Sequence, residues 1–470
     1  MAEAIQSAHM IAICGVGMAP LAVMLKERGV AVSGCDQAAF PPMSEVLAEA
    51  GVQVALGLSP EHLEPEPDLV VVGNAIPASN PEARWVEERG LRRWSFPETL
   101  SRLFLEGRRP LVVAGTHGKT TTTGMLARAL QVAGLDPGYL VGGLVRDLGR
   151  FAQSGSGEFF VVEGDEYDSA YFDKRPKFLH YRPSAAIITS IEFDHADIYR
   201  SLEEVKQAFG AFVGLLPAGA PLVVCADDPV VQATVAKSRA RLVTYGIGPG
   251  AVWRAAGIAA ARSGMEFDVF YRGRPMGRRL RLGLSGRMNV SNSLAVYALC
   301  RELGVAEDAV VEALAEFRGA ARRQEVIGEA SGVVVVDDFA HHPSAVAATL
   351  AAMRARFDGR RLWAVFEPRS NTSRRAVFQR HYAESLAAAD CVVVSAVYSK
   401  PNDPLRPEEM LSTTRLVEDL RAAGRHAWSA DGPDEILARL PGELRRGDVV
   451  VCMSNGAFGN LPRRLLAALA

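Results

Sequence analysis

The sequence predicts an α/β protein of three units, each a parallel sheet flanked by helices. Three observations predict it. Short apolar runs alternate with helix-length stretches along the chain, the rhythm of repeated strand–helix units. Many of those runs end in polar or glycine-rich tips, which gathers the tips at the carboxyl edges of the sheets. The chain has 470 residues, 49% of them hydrophobic, and at about 150 residues per domain that makes about three cores.

The first unit, residues 1–108, reads as Rossmann-like. Residues 11–14 suggest a strand, Gly15-Val16-Gly17-Met18 a turn, residues 21–29 a helix, and residues 30–33 a second strand running toward Asp36. Glycines at a strand-to-helix turn with an acid about twenty positions on are part of the dinucleotide fingerprint. Pro20 stands where the third glycine belongs, so a different nucleotide-linked ligand is expected. Residues 69–72 form a strand leading into a polar loop that carries Asn74, and residues 103–110 read as the linker.

The central unit, residues 109–320, carries the strongest motif. An apolar strand, residues 111–114, stops at Gly115-Thr116-His117-Gly118-Lys119-Thr120-Thr121, and a helix pattern follows. Backbone N–H groups and a helix N-terminus then face an anion, and the lysine adds a point charge. The next hydroxyl, Thr120 or Thr121, reaches a magnesium ion riding on the phosphates. Val113 occupies the place of the first Walker glycine, so this is the shorter Gly-x-x-Gly-Lys-Thr form of a P-loop ATPase-like unit.

Residues 159–162 form a buried strand that Glu163 ends, putting a carboxylate beside the loop where a magnesium site requires one. The neighbouring acids Asp165, Glu166 and Asp168 read as less specific, partly loop-solvating groups. A third strand, residues 185–189, leads to Asp194 and His195. Beside Glu163 and Lys119, His195 is either a second metal or phosphate ligand or a loop histidine. Asn289 and Asn292, three apart at the start of a helix, either cap it or hydrogen-bond a nucleotide.

The third unit, residues 321–470, repeats the Rossmann-like rhythm. Its strands are residues 333–336, which end in Asp337-Asp338, then 362–366, 391–395 and 449–453, with the clearest helix at residues 407–423. Polar tips recur at Glu367-Pro368-Arg369-Ser370-Asn371-Thr372 and at residues 454–460.

Composition removes other classes. With 52 basic and 54 acidic residues, the chain lacks the field of a broad nucleic-acid binder, and Arg278-Arg279-Leu280-Arg281 reads as a solvated strand face. No apolar run approaches the ~18–20 residues of a membrane span, so no membrane insertion is expected. Residues 1–7 lack signal-peptide blocks, and six scattered cysteines show neither metal-ligand spacing nor a disulfide framework. A cytoplasmic enzyme with reduced thiols is expected. Pro20 and the phosphate loop weigh against a nicotinamide oxidoreductase, and polar loops in all three units weigh against a non-catalytic ATP-driven switch.

Taken in order, six blocks resemble the Mur ligase family of ATP-dependent amino-acid and peptide ligases. They are the loop at Gly115–Thr121, Glu163-Gly164-Asp165-Glu166, Asp194-His195, Asn289 with Asn292, Arg322-Arg323, and Asp337-Asp338-Phe339-Ala340-His341-His342-Pro343. The resemblance implies an acyl-phosphate made with ATP, then attack by an amine. It implies Lys119, Glu163 and His195 as the catalytic set and Mg2+ held by Thr120, Thr121, Glu163 and His195. It puts ATP on the Gly115–Thr121 loop, on Asn289 and Asn292, on Arg322 or Arg323, and on Asp337 or Asp338. It places UDP-N-acetylmuramate on Gly15, Val16, Gly17, Met18, Asp36 and Asn74. Within the family, Gly73-Asn74-Ala75, Phe172-Asp173-Lys174-Arg175, His180-Tyr181-Arg182-Pro183 and Glu367–Thr372 are similar to the branch that adds the recovered murein tripeptide L-alanyl-γ-D-glutamyl-meso-diaminopimelate. The alternative is the branch that adds L-alanine. Arg369, with Asn371, is then expected to meet a carboxylate of the incoming peptide. Several members carry a carbamylated lysine; its place falls near Phe209, and Lys206 is expected to point elsewhere.

Overall fold

The computed structural model describes residues 5–261, 263–399, 403 and 405–470, so the first four residues of the N-terminal stretch lie outside it. The described residues fold into three large sheets in chain order, with helices against their faces, and a two-stranded ribbon of Asp168–Ala170 and Asp173–Pro176.

The N-terminal sheet is wholly parallel, ordered Gln53–Leu56, Ala31–Asp36, Ser7–Ile11, Leu69–Val72, Arg93–Ser95. The first strand ends at Ile11 rather than Cys14, because Ala12 turns to φ 65°. Helix Met18–Glu27 starts earlier than expected, since Met18 as well as Leu21, Met24 and Leu25 enters the core. Residues 103–105 are not linker. Helix Phe96–Leu100 runs into a π-helical turn, Ser101–Leu105, that buries Phe104 and Leu105.

Among the described residues the central sheet has ten strands. Arg109–Ala114 lies between Ala185–Ile188 and Phe159–Gly164, parallel to both. One edge continues through Pro221–Cys225 and Arg241–Gly246 into a meander of Trp253–Ala260, Met265–Tyr271 and Arg274–Leu282, antiparallel within itself. On its last strand Arg278, Arg279 and Arg281 pair with Asp308, Asp268 and Glu266, the solvated face expected of them.

In the C-terminal sheet the order is Glu325–Ala330, Val333–Asp338, Val449–Met453, Leu362–Phe366, Cys391–Ser395, His426–Ala430. Only Glu325–Ala330 runs antiparallel, a hairpin partner the apolar rhythm did not announce. Residues 407–423 are not one helix. A 3-10 turn, Pro407–Glu409, is followed by helix Thr413–Ala422, because the Ser412 hydroxyl caps a fresh start by accepting from Arg415 N–H.

The first two units are joined by apolar packing. Phe104 and Leu105 share one buried cluster with Leu140, Phe151 and Phe160 of the central unit. The third unit has its own cores and meets the central one largely through charged and hydrogen-bonding groups. No helix among the described residues is long and apolar enough to cross a membrane.

Candidate active site

Parallel register sets Ala114 beside Ile188 and Gly164, so three strand ends deliver their loops to one place. Gly115 has φ 136°, and a Cβ there would lie 2.1 Å from Thr189 Oγ1. Gly118 has φ 80°, and its Cβ would lie 2.8 Å from Asn292 Oδ1. Both positions therefore require glycine. Thr116 N–H bonds Ser190 O at 2.9 Å and His117 N–H bonds Ser190 Oγ at 3.1 Å. Those two amides are committed to the neighbouring loop. The donors facing an anion are the first-turn amides of helix Lys119–Val132 and its cap, at Gly118, Lys119, Thr120 and Thr121.

Lys119 Nζ donates to Gly115 O at 2.7 Å and to Glu166 Oε2 at 2.8 Å. Glu166 is 2% exposed and its other oxygen lies 3.5 Å from His195 Nε2. Burial opposes its charge, but Lys119 and His195 outweigh burial and hold the carboxyl well below the usual range. Burial likewise lowers His195, and Glu166 with Asp194 overcomes it, raising the imidazole to about 9. Glu166 is thus the hinge of the constellation, not a solvating acid. Nothing in its position along the chain sets it apart from the other acids of that loop.

Glu163 accepts from Gly142 N–H at 2.6 Å and from Thr120 Oγ1 at 3.2 Å. Burial and Asp165 push it up to about 7. A buried carboxylate pushed toward neutrality, beside a hydroxyl and an anion-binding helix end, is a donor set suited to a hard divalent cation. Thr120 makes the contact with Glu163, and Thr121 is buried on the same turn. Glu163 and His195 stand apart: His195 faces Glu166, and neither belongs to a group of convergent ligand atoms among the described residues.

The neighbouring acids tie the third unit to the second. Glu192 lies 3.5 Å from His117 Nε2 and 3.3 Å from His342 Nδ1, and accepts from the Ser344 hydroxyl. Asp194 accepts from the Thr372 hydroxyl and lies 3.8 Å from His341. Arg323 completes the crossing: it donates to Thr120 Oγ1 at 3.3 Å with its guanidinium 4.4 Å from the Phe339 ring centroid. Arg322 instead donates to Ser454 O and Gly456 O, inside its own domain. Asp338 is committed as well, accepting from Gln324 N–H at 2.8 Å and Ala340 N–H at 2.7 Å. Asp337 pairs with Arg322 Nε at 3.4 Å, and burial pushes it up to about 6. Asn289 donates to Ser285 O one turn back, so it holds the helix start, while Asn292 packs against Gly118.

In the first unit Asp36 accepts from Cys14 N–H at 2.9 Å and Gln37 N–H at 2.8 Å, clamping the glycine turn. Gly17 faces the Phe96 ring, Val16 is 51% exposed, and Asn74 is exposed at the same sheet edge. Met18 is a core side chain and offers that edge only its backbone. In the third unit Arg369 is one-third exposed, lies 3.9 Å from the Tyr398 ring centroid, and is 3.7 Å from Glu367. Asn371 is half-buried in the same loop and its carbonyl accepts from Arg375. Phe209 is fully buried against Phe178, and Lys206 pairs with Glu203 at 2.6 Å on the helix surface.

Three family models cover the chain in order: Mur ligase family, catalytic domain, at residues 7–108; Mur ligase middle domain at 113–300; and Mur ligase, glutamate ligase domain, at 322–456. The Escherichia coli UDP-N-acetylmuramate–L-alanyl-γ-D-glutamyl-meso-2,6-diaminoheptandioate ligase is 38% identical, covering 98% of both chains. The UDP-N-acetylmuramate–L-alanine ligase of Kineococcus radiotolerans is 41% identical, covering 98% of this chain and 96% of its own. A crystal structure of a murein peptide ligase from Psychrobacter arcticus superposes with a TM-score of 0.75 at 34% identity, over 99% of this chain and 98% of that one. The chain belongs to the Mur ligase family. It is an ATP-dependent peptide ligase.

Proposed function

We propose that the protein joins the recycled tripeptide L-alanyl-γ-D-glutamyl-meso-diaminopimelate to UDP-N-acetylmuramate, with ATP converted to ADP and phosphate. The carrying observation is Arg369. Its guanidinium stands on the loop that also supplies Thr372 to Asp194, so a carboxylate-bearing peptide arriving from the third unit meets a planar cation at the site's mouth. The full-length likeness to the Escherichia coli tripeptide ligase supports the same branch.

In this reading Lys119 and the first-turn amides hold the β- and γ-phosphates. Arg323 reaches the site from the domain junction, and Asp337 takes the ribose. Gly15 to Gly17, Asp36 and Asn74 seat the uridine nucleotide. Thr120, with Thr121 and Glu163, would hold Mg2+, His195 joining them on leaving Glu166, and the ion would offset charge on the phosphates. Glu166 keeps Lys119 aimed along the loop and holds the His195 imidazole until the metal takes it. Polar contacts between the second and third units let the third close over the acyl-phosphate and exclude water.

One assay separates the branches. With ATP, Mg2+ and UDP-N-acetylmuramate present, phosphate release should be faster with the tripeptide than with L-alanine. Faster release with alanine moves the protein to the biosynthetic branch, which the 41% identity to the Kineococcus enzyme favours as the second reading. Arg369→Ala should raise the KM for tripeptide about 10- to 100-fold, the scale of one charge-assisted pair, with little change in the KM for ATP. An unchanged peptide KM removes Arg369 from this role.

A further inference from the structure

Away from the phosphate loop, the interior of the N-terminal unit holds a second constellation. His9, Cys35 and Glu82 each present a ligand atom within 4.8 Å of the others, and all three are buried. They come from three elements: strand Ser7–Ile11, the adjacent strand Ala31–Asp36, and the first turn of helix Pro81–Glu88. His9 is 2% exposed; its Nδ1 lies 2.9 Å from Ser33 Oγ, and its Nε2 has no partner. Cys35 Sγ donates to Glu82 Oε2 at 3.0 Å. Glu82 is fully buried, and among the described residues its only ion-pair partner is His62, whose Nδ1 lies 2.8 Å from Oε1.

We propose that His9, Cys35 and Glu82 form a zinc site that ties the first two strands to helix Pro81–Glu88, with His62 orienting Glu82 from its other oxygen. An imidazole whose one nitrogen is fixed by a hydroxyl while the other is bare and buried is how ligating histidines are presented. Nitrogen, thiolate sulfur and carboxylate oxygen are zinc's donors, and a thiol distinguishes this site from the oxygen-rich magnesium site beside Lys119. The charges balance. On binding, Cys35 Sγ gives its proton to solvent and forms the Zn–S bond. Thiolate and carboxylate then offset the two positive charges, and both histidines remain neutral. Spacing along the chain conceals the site, because His9 and Cys35 lie 26 residues apart and Glu82 lies 47 beyond Cys35; adjacent strands bring them together.

Cobalt(II) titrated into the full-length protein, in excess Mg2+ to occupy oxygen sites, is the test. One equivalent should give a thiolate-to-cobalt charge-transfer band that Zn2+ abolishes. Cys35→Ala should lose the band, and Glu82→Gln should weaken cobalt binding by about 10- to 100-fold or more. Absence of the band in the native protein, or its persistence in Cys35→Ala, overturns the proposal. Should Cys35→Ala fail to fold by circular dichroism, His9→Gln carries the comparison: an unchanged cobalt affinity there overturns the proposal, and a weakened one supports it.

Discussion

Replacing Lys119 with alanine lowers turnover by at least ~100-fold while the fold persists, the scale of one strong transition-state contact. The side chain holds two partners at once, Gly115 O and Glu166, so its loss removes more than a phosphate contact. Glu166 stays buried with His195 as its remaining ionic partner among the described residues, and its carboxylate then repels the incoming γ-phosphate. Lys119→Arg does not restore the rate, because a planar fork cannot serve as the compact charge this loop encloses. Single-turnover phosphate release, with circular dichroism to verify folding, decides it. Near-normal release in Lys119→Ala separates the loop from ATP chemistry.

Asp448→Ala destabilises the C-terminal unit by about 3 kcal/mol, the cost of stranding one partner of a buried ion pair. The carboxylate accepts from Arg361 Nε at 2.9 Å and Nη2 at 2.6 Å, from Trp363 Nε1 at 3.1 Å and from Arg445 N–H at 2.9 Å. Arg361 is 29% exposed and regains some water, which keeps the cost from rising further. Burial opposes the carboxylate's charge, yet the Arg361 pair and the Arg445 amide hold its pKa below the ordinary value. The sign follows: the stabilisation is complete above the unfolded-state pKa of about 3.9 and is lost as pH falls through the lower folded value. Urea unfolding of the wild-type protein should therefore weaken at acid pH, and the variant should lack that component. Equal midpoints at neutral pH would remove Asp448 as a strut of this unit.

Much of the active site is local in character. A strand, a glycine loop, a lysine and a helix follow one another within a dozen residues, so the phosphate loop and Thr120 can be read directly along the chain. Glu163 is legible for the same reason, because it lies at the carboxyl end of a strand beside that loop. Glu166 and Arg323 are not. An acid in a loop looks solvated until a lysine and a histidine close over it, and neighbouring arginines look alike until one crosses to Thr120 and the other turns to Ser454 O. Asp338 misleads for a related reason: backbone amides that claim its oxygens have no signature in side-chain types.

By itself the amino-acid order determined three α/β units, the short-spaced phosphate loop and the family of chemistry, since strand period, glycine turns and helix starts are short-range properties. Tertiary structure alone decided which acids face cations, which amides remain for an anion, and that His9, Cys35 and Glu82 share one buried point. Charge and ligation act through space over a few ångströms. Residues distant in the chain can satisfy that only after the sheets have packed.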